Sequence, residues 1–364
     1  MESEIASFDA TVTRLEVALE PDGDPREAEG ILNPAATRSR SDRLLLFPRV
    51  VAEDNISRIA LVEVGGTPEQ PRYERAGYAL EPTAPYEFRS TPGGFGCEDP
   101  RVTFIAALDH YVMAYTAFGP DGPRIALALS RDAYSWERLG LMDFSARGLP
   151  CGDDKDAAFY PEPVHSPSGV LSFAFYHRPM LHLSALDGYA AVPKILRLPP
   201  QDREGVRIGY VPLEPVMQDR RNLLRVAESI LVLPPANEWG RIKTGGGTPP
   251  LRIAEGWFSL YHAVDVELDG DDPRKLRYAA GLVVHDLERP DIIRYRSPQP
   301  LIVPTTPEER HGTVSDVVFP TGIDRSTADP RRFDFYYGMA DARVGRARLE
   351  LGASSLAQPE ESAA

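Results

Sequence analysis

Five times along this chain a short proline motif is followed, a dozen or so residues later, by a run of β-branched, aliphatic and aromatic residues. Each run carries an aromatic near its end and then turns polar. The prolines are Pro34 in LNPAA, Pro100 in EDPRV, Pro161 in YPEPV, Pro249 in GTPPL and Pro320 in FPTGI. The runs are RLLLFPRVV around Phe47, YVMAYTAF around Tyr115, LSFAFYHRP around Tyr176, WFSLYHAV around Tyr261 and FDFYYGMAD around Tyr337. Successive prolines lie 66, 61, 88 and 71 residues apart. Runs of this composition bounded by turn residues read as strands. Their recurrence at a long, loose period marks an array of similar supersecondary units. Four-stranded units set radially make a β-propeller, so the expected fold is all-β, a five-bladed β-propeller. A β-sandwich of compositionally similar strands is the alternative. Helix is expected to be sparse, with PVMQDRRNLLRVAESI as the best candidate.

The repeat also divides the chain. Residues 1–30 are expected to be a segment packing on the propeller, 31–350 the propeller itself, and 351–364 a flexible tail. The longest proline gap holds LPPQDREGVRIGYVPLEPVMQDRRN, read as a loop insertion over about 181–240. The 35 prolines and 29 glycines are spread along the chain, as punctuation between strands rather than a disordered tract.

Charge narrows the partners. Forty Lys and Arg against 54 Asp and Glu leave a formal charge of −14, which argues against nucleic acid or an anionic membrane as partner. No run reaches the roughly 18 apolar residues of a membrane span. The start, MESEIASFDATVTRLEVAL, has no basic region or long apolar core. The expectation is a cytoplasmic protein. Cys97 and Cys151 read as buried free thiols, and no metal set emerges from the seven scattered histidines.

In a propeller, loops from every blade meet at one axis. Polar residues beside the prolines and strand ends then converge on one pocket, expected to include Asn33, Arg49, Asp99, Arg101, Lys155, Asp156, His177, Arg178, Lys243, His262 and Asp341. Such a set holds carboxylates able to act as acid or base and cations able to hold an anion. IKTGGGTPPL places three glycines beside Lys243, where a backbone without side chains approaches a ligand closely. It is no Walker loop, because no G-K-[ST] follows the glycines.

Read in order, EAEGILNPAA, GCEDPRVTFI, YVMAYTAF, KDAAFYPEPV, YHRPM, KTGGGTPPL, YHAV, VVFPTG and YYGMAD resemble the motifs of glycoside hydrolase family 130, the mannoside phosphorylases and related mannosidases. The resemblance runs from about Glu27 to Asp341. It implies a five-bladed propeller and an inverting cleavage of β-mannosides by inorganic phosphate, a co-substrate, giving α-mannose 1-phosphate. No other cofactor is implied. It implies that Asp99 is the catalytic acid, acting through a mannose hydroxyl. It implies phosphate contacts at Lys155, Arg178, Lys243 and His262, and sugar contacts at Asn33, Arg49 and Asp341. Family members often form homo-oligomers.

The chain departs from the family at one run. Many phosphorylases of the family carry a stretch resembling R-N-x-x-x-F-P-E, where this chain has KDAAFYPEP, with Lys155 first. Lysine keeps the charge and loses the bidentate fork. The alternatives are an inverting mannosidase of the same family and a non-catalytic glycan-binding propeller. A mannosidase needs a carboxylate base roughly 6.5–9.5 Å from the acid, for which Glu162 and Glu255 qualify only by residue type. Glu98 and Arg101 are expected to hold the turn around Asp99. Trp136, Trp239 and Trp257 are candidates for stacking on sugar or for the core, and His311 for the pocket or a loop.

Overall fold

The computed structural model describes residues 5–146, 148–181, 191–266 and 275–356. Strand β1 (Ile5–Leu19) precedes a first meander of β2 (Gly30–Arg38), β3 (Leu44–Ala52), β4 (Ile56–Thr67) and β5 (Gln70–Leu80). The second meander is β6 (Phe95–Ile105), β7 (His110–Gly119), β8 (Gly122–Ser130) and β9 (Glu137–Leu141). The third is β10 (Asp154–Phe159), β11 (Val164–His165), β12 (Leu171–Pro179), β13 (Val206–Pro212) and β14 (Glu228–Leu233). The fourth is β15 (Lys243–Gly246), β16 (Leu251–Ile253), β17 (Gly256–Val266), β18 (Leu276–His285) and β19 (Ile293–Arg296). Strands β20 (Val318–Arg325), β21 (Arg332–Met339) and β22 (Arg343–Leu356) follow.

Pairing within each meander is antiparallel, in the order of the chain. The two-residue β11 and the three-residue β16 lie beside β12 and β17. The last three strands gain their fourth from the other end of the chain, β1 pairing antiparallel with β22 from Leu19 opposite Val344 outward. A two-residue parallel bridge, Ile56 with Phe95 and Ser57 with Gly96, links the first two meanders into one sheet. The chain is thus all-β: among the described residues, four sheets hold five antiparallel groups, each built on a path of four strands. Of the expected helix, Leu213–Gln218 is α-helical, Arg220–Leu224 is a 3-10 turn and Glu228 onward is strand. Within the expected insertion, β13 and β14 are ordinary strands of the third sheet, and residues 182–190 lie outside the described residues.

The five repeat aromatics form the core. Phe47, Tyr115, Tyr176, Tyr261 and Tyr337 are each at most 2% exposed. A buried phenol needs a partner, and two of the tyrosines find the same one. Tyr115 donates to Glu87, which also takes Arg138 in a two-pronged ion pair at 2.7 and 2.9 Å. Tyr337 donates to Glu309, which takes Arg14 at 2.7 and 3.0 Å. Both glutamates accept two backbone N–H groups of the preceding turn, TAPYE in one case and TTPEE in the other. This second repeat lies outside the proline pattern. Removing one partner of such a buried ion pair costs about 3–5 kcal/mol.

The first strands of the first three meanders, and β20 of the last group, each lose register at the same kind of place: between Leu32 and Ala35, Glu98 and Arg101, Lys155 and Ala158, and Pro320 and Gly322. An extra residue in one strand bends it and re-aims a side chain. In the first three bulges the re-aimed residue is Asn33, Asp99 or Asp156, at φ 46°, 47° and 63°. Asn and Asp tolerate this left-handed conformation best among non-glycine residues. The bulges carry the polar side chains into one place.

Candidate active site

A cavity of about 190 Å³ is lined by Asn33, Arg49, Asp99, Lys155, Asp156, Arg178, Met180, Lys243, His262, Tyr278, Val317, Phe319 and Asp341. All eight side chains singled out from the sequence for acid, anion or sugar contact are in it. Arg101 and His177 stand behind the wall. Arg101 is fully buried and ties the second meander to the fourth, donating to the carbonyls of Gly246 and Gly247 and to that of Asp99 at 3.0, 3.1 and 2.8 Å. His177 bridges Asp154 and Ser229 at 2.7 and 2.8 Å.

On one side of the cavity Asp99 Oδ1 accepts from Asn33 Nδ2 at 2.9 Å and from Arg49 Nη1 at 3.4 Å. Burial pushes the Asp99 carboxyl up, but Arg49, Lys155 and Arg101 outweigh it and hold it below the usual carboxylate range. Asp341, at φ 50°, has the reverse balance. Burial and the neighbouring Asp99 charge exceed the pull of Arg49 and Lys155, and its pKa is pushed up to about 6. The two carboxylates therefore divide one positive field, and Asp99 takes the larger share.

Glu98 does more than hold its turn. It accepts from Arg49 Nη2 at 3.0 Å and from Lys155 Nζ at 3.2 Å, joining a residue of the first meander to one of the third. Burial disfavours the Lys155 ammonium, but Glu98 and Asp99 overcome this and raise its pKa.

On the other side Arg178 donates from Nε to Asp156 Oδ2 at 2.7 Å and from Nη1 to Glu204. The Glu204 carboxylate also takes the Leu181 N–H at 3.0 Å, and its carbonyl takes the N–H of Thr244, beside Lys243. Lys243 Nζ lies 5.2 Å from the centre of the Tyr278 ring, a cation–π placement. His262 is fully buried, and neither ring nitrogen has a hydrogen-bond partner. Its Nε2 stands 3.7 Å from Asp156 Oδ2. Burial, with Arg178 and Lys243 against it, pushes its pKa down to about 3 despite Asp156, so the ring is neutral. Two unpartnered polar atoms deep in a protein are costly, and a hydrogen-bonding ligand entering here would satisfy them. Gly245 makes the space. A Cβ there would meet His262 Cε1 at 2.1 Å and Asp156 Oδ2 at 2.3 Å.

Several expectations are corrected. Glu162 is half exposed and paired with Arg252. Glu255 is paired with Arg331 and Ser354. Neither lines the cavity, so neither is a base for water here. Trp239 and Trp257 are core residues whose indole N–H groups donate to the carbonyls of Pro298 and Leu287. Trp136 packs edge-on against Phe47. None of the three lines the cavity. His311 holds the Pro307 carbonyl at the surface. Cys97 is buried as expected, but Cys151 is exposed. Tyr278, Phe319, Met180 and Val317 were not foreseen. Phe319 adjoins a proline that was noted, whereas Tyr278 sits in a strand interior whose pattern matches any core strand.

Among the described residues no helix is long and apolar enough to cross a membrane, and no group of His, Cys, Asp or Glu could hold a metal ion.

A family model described as beta-1,4-mannooligosaccharide phosphorylase matches residues 6–155 and 221–352 of the chain. A 1,2-beta-oligomannan phosphorylase of Thermoanaerobacter sp. is 29% identical over 259 residues, 70% of this chain and 69% of the relative. A beta-1,2-mannobiose phosphorylase of Listeria innocua is 28% identical over 258 residues, 71% of this chain and 58% of the relative. The solved structure of a Listeria innocua beta-1,2-mannobiose phosphorylase with beta-1,2-mannobiose superposes with a TM-score of 0.67. It covers 94% of this chain and 97% of that one, at 19% identity.

Proposed function

The chain belongs to glycoside hydrolase family 130, and from that premise we propose that it is an inverting β-mannoside phosphorylase with Asp99 as its acid. It is an enzyme acting on glycosides, and its relatives are mannoside phosphorylases. The five antiparallel groups are read as the blades of one closed propeller, with residues 31–350 as a single catalytic unit. The β1–β22 pairing supports closure, since it joins the two ends of the chain in one sheet.

One observation carries the proposal. The cavity that holds Asp99 also holds four cationic side chains, Arg49 beside Asp99 and Lys155, Arg178 and Lys243 beyond it, and a neutral histidine with both nitrogens free. Water needs a carboxylate base to become a nucleophile; Glu162 and Glu255 lie elsewhere, Asp156 is tied to Arg178 at 2.7 Å, and Asp341 shares the charged surroundings of Asp99. Phosphate needs no base. It needs cations that hold it in line with the bond to be broken. The cations hold Asp99 below the usual carboxylate range, so it is ionised. Phosphate arriving among them offsets their charge and raises Asp99 toward the range where it holds a proton. The acid is then loaded when the nucleophile is in place. Asn33, Arg49 and Asp341, around Asp99, are the proposed sugar contacts. The proton passes from Asp99 through a mannose hydroxyl to the departing oxygen while phosphate attacks the opposite face.

The test is sugar release from β-1,2- and β-1,4-mannobiose with and without inorganic phosphate. The relatives' names put the 1,2-linked sugar first. Mannose 1-phosphate formed only with phosphate is the expected result. Free mannose at equal rates in both would overturn the proposal in favour of hydrolysis.

A further inference from the structure

Resting on the phosphorylase reading, we propose that Asp156 is a specificity-determining residue that accepts the hydroxyl of a protonated oxyanion, so that the cavity takes hydrogen phosphate and rejects sulfate. Asp156 follows Lys155 in KDAAFYPEP and puts a full negative charge among the cations proposed for the nucleophile.

The geometry shows what that charge can accept. Asp156 is 2% exposed and lines the cavity from the bulge in β10. Its Oδ2 takes Arg178 Nε at 2.7 Å. Arg101 Nη2 approaches Oδ1 no closer than 3.8 Å, and His262 Nε2 approaches Oδ2 no closer than 3.7 Å. An ionised carboxylate has about four acceptor sites and no donor, and the Arg178 bond takes one. Burial acts against the charge, but Arg178 and Arg101 outweigh it and keep the carboxylate ionised.

An oxyanion bound by Lys243, Arg178 and an N–H of His262 therefore faces Asp156 with one of its oxygens. If that oxygen carries a hydrogen, it donates to Asp156 in a charge-assisted bond, the strong class. If it is bare, two acceptors confront each other with no proton between them. Hydrogen phosphate carries a P–OH at neutral pH, in either its singly or doubly charged form. Sulfate has nearly the same size and shape, the same double charge and no hydrogen. A site built to accept a hydrogen bond rejects an analogue lacking the donor far more strongly than shape alone allows. The Gly245 gap, the neutral His262 and the Arg178–Asp156 pair then have a common use.

The test compares sulfate with phosphate on the folded protein. In calorimetric titrations the wild type is expected to bind sulfate roughly 100-fold more weakly than phosphate. Sulfate should leave mannobiose phosphorolysis uninhibited at concentrations equal to phosphate. Arsenate, which carries an As–OH, should compete. In Asp156→Asn the amide donates as well as accepts, and sulfate should bind within about tenfold of phosphate. The wild-type comparison stands even if that variant fails to fold. Sulfate competing with phosphate in the wild type, or a sulfate-to-phosphate ratio unchanged in Asp156→Asn, would overturn the assignment while leaving phosphorolysis intact. A wild type that releases mannose at the same rate without phosphate would instead overturn the reading on which it rests.

Discussion

Asp99 and Asp156 occupy equivalent bulges in neighbouring meanders, share a left-handed backbone, and are each buried against arginine. Their surroundings set them apart. Asp99 has an amide donor, Asn33, at 2.9 Å and a second carboxylate, Asp341, close enough to raise that group to about 6. Asp156 has a fully buried guanidinium at 2.7 Å and a neutral imidazole. One carboxylate is balanced so that a new negative charge nearby shifts its proton affinity. The other is locked as an acceptor. In the proposed reaction the same backbone device yields a group that changes protonation and a group that does not, and the neighbours decide which is which.

The largest expected effect breaks the first side alone. Asp99→Asn should lower kcat for mannobiose phosphorolysis by about 10³-fold, within the usual contribution of a general acid. The melting temperature should change little, because Asn suits a φ of 47° as well as Asp does. Initial rates and a thermal melt check both halves. Arg178→Ala attacks the second side and its stability together. It leaves Asp156 and Glu204 without their cation, so unfolding in urea should show a loss of about 3 kcal/mol or more. The KM for phosphate should rise further than that for the sugar.

Gly245→Ala is a finer cut. The new methyl would press on His262 and Asp156 from 2.1 and 2.3 Å. Overpacking of this kind costs about 1–3 kcal/mol. Phosphate KM should rise while mannobiose KM moves little, since Asp99, Asn33 and Arg49 are untouched.

The smallest effect is in pH, where the two sides run in opposite directions. Asp341 has a folded pKa raised to about 6. The native state then binds more protons than the unfolded chain from about pH 4 to 6, and stability contributed there falls as pH rises through that window. His262, lowered to about 3, binds fewer protons when folded, and its contribution rises with pH from about 3 to 6.5. Asp341 keeps some exposure to the cavity, so about 1–2 kcal/mol is expected from it. Urea unfolding from pH 4 to 7 should lose its falling component in Asp341→Asn and its rising component in His262→Gln.

Much of this was legible in the sequence because the repeat is carried by types that physics restricts. Proline beside Asn33 and Asp99 marks a break in strand pairing, and the aromatic run after it marks a core strand. Side chains re-aimed by such breaks, Asn33 and Asp99 among the eight, gather at one place with the other six. What stayed hidden was direction and company. Arg101 and His177 flank the same motifs as Asp99 and Arg178 yet point behind the wall: Arg101 ends the bulge that re-aims Asp99, and His177 alternates with Arg178 along an unbroken strand. Tyr278 looks like any strand residue. The Tyr–Glu–Arg locks at Glu87 and Glu309 join residues far apart in the chain, Arg14 lying 295 residues from Glu309. Glu204 reaches Arg178 because it leads into β13, which pairs with β12 beside Arg178.

The central claim is that the Asp99 cavity delivers phosphate to the face of the sugar opposite its leaving group. The most direct measurement follows β-1,2-mannobiose and inorganic phosphate by proton and phosphorus NMR from the first turnovers. The account predicts α-mannose 1-phosphate and free mannose appearing together in equal amounts. Mannose in both product positions, or a β-linked phosphate, would contradict it.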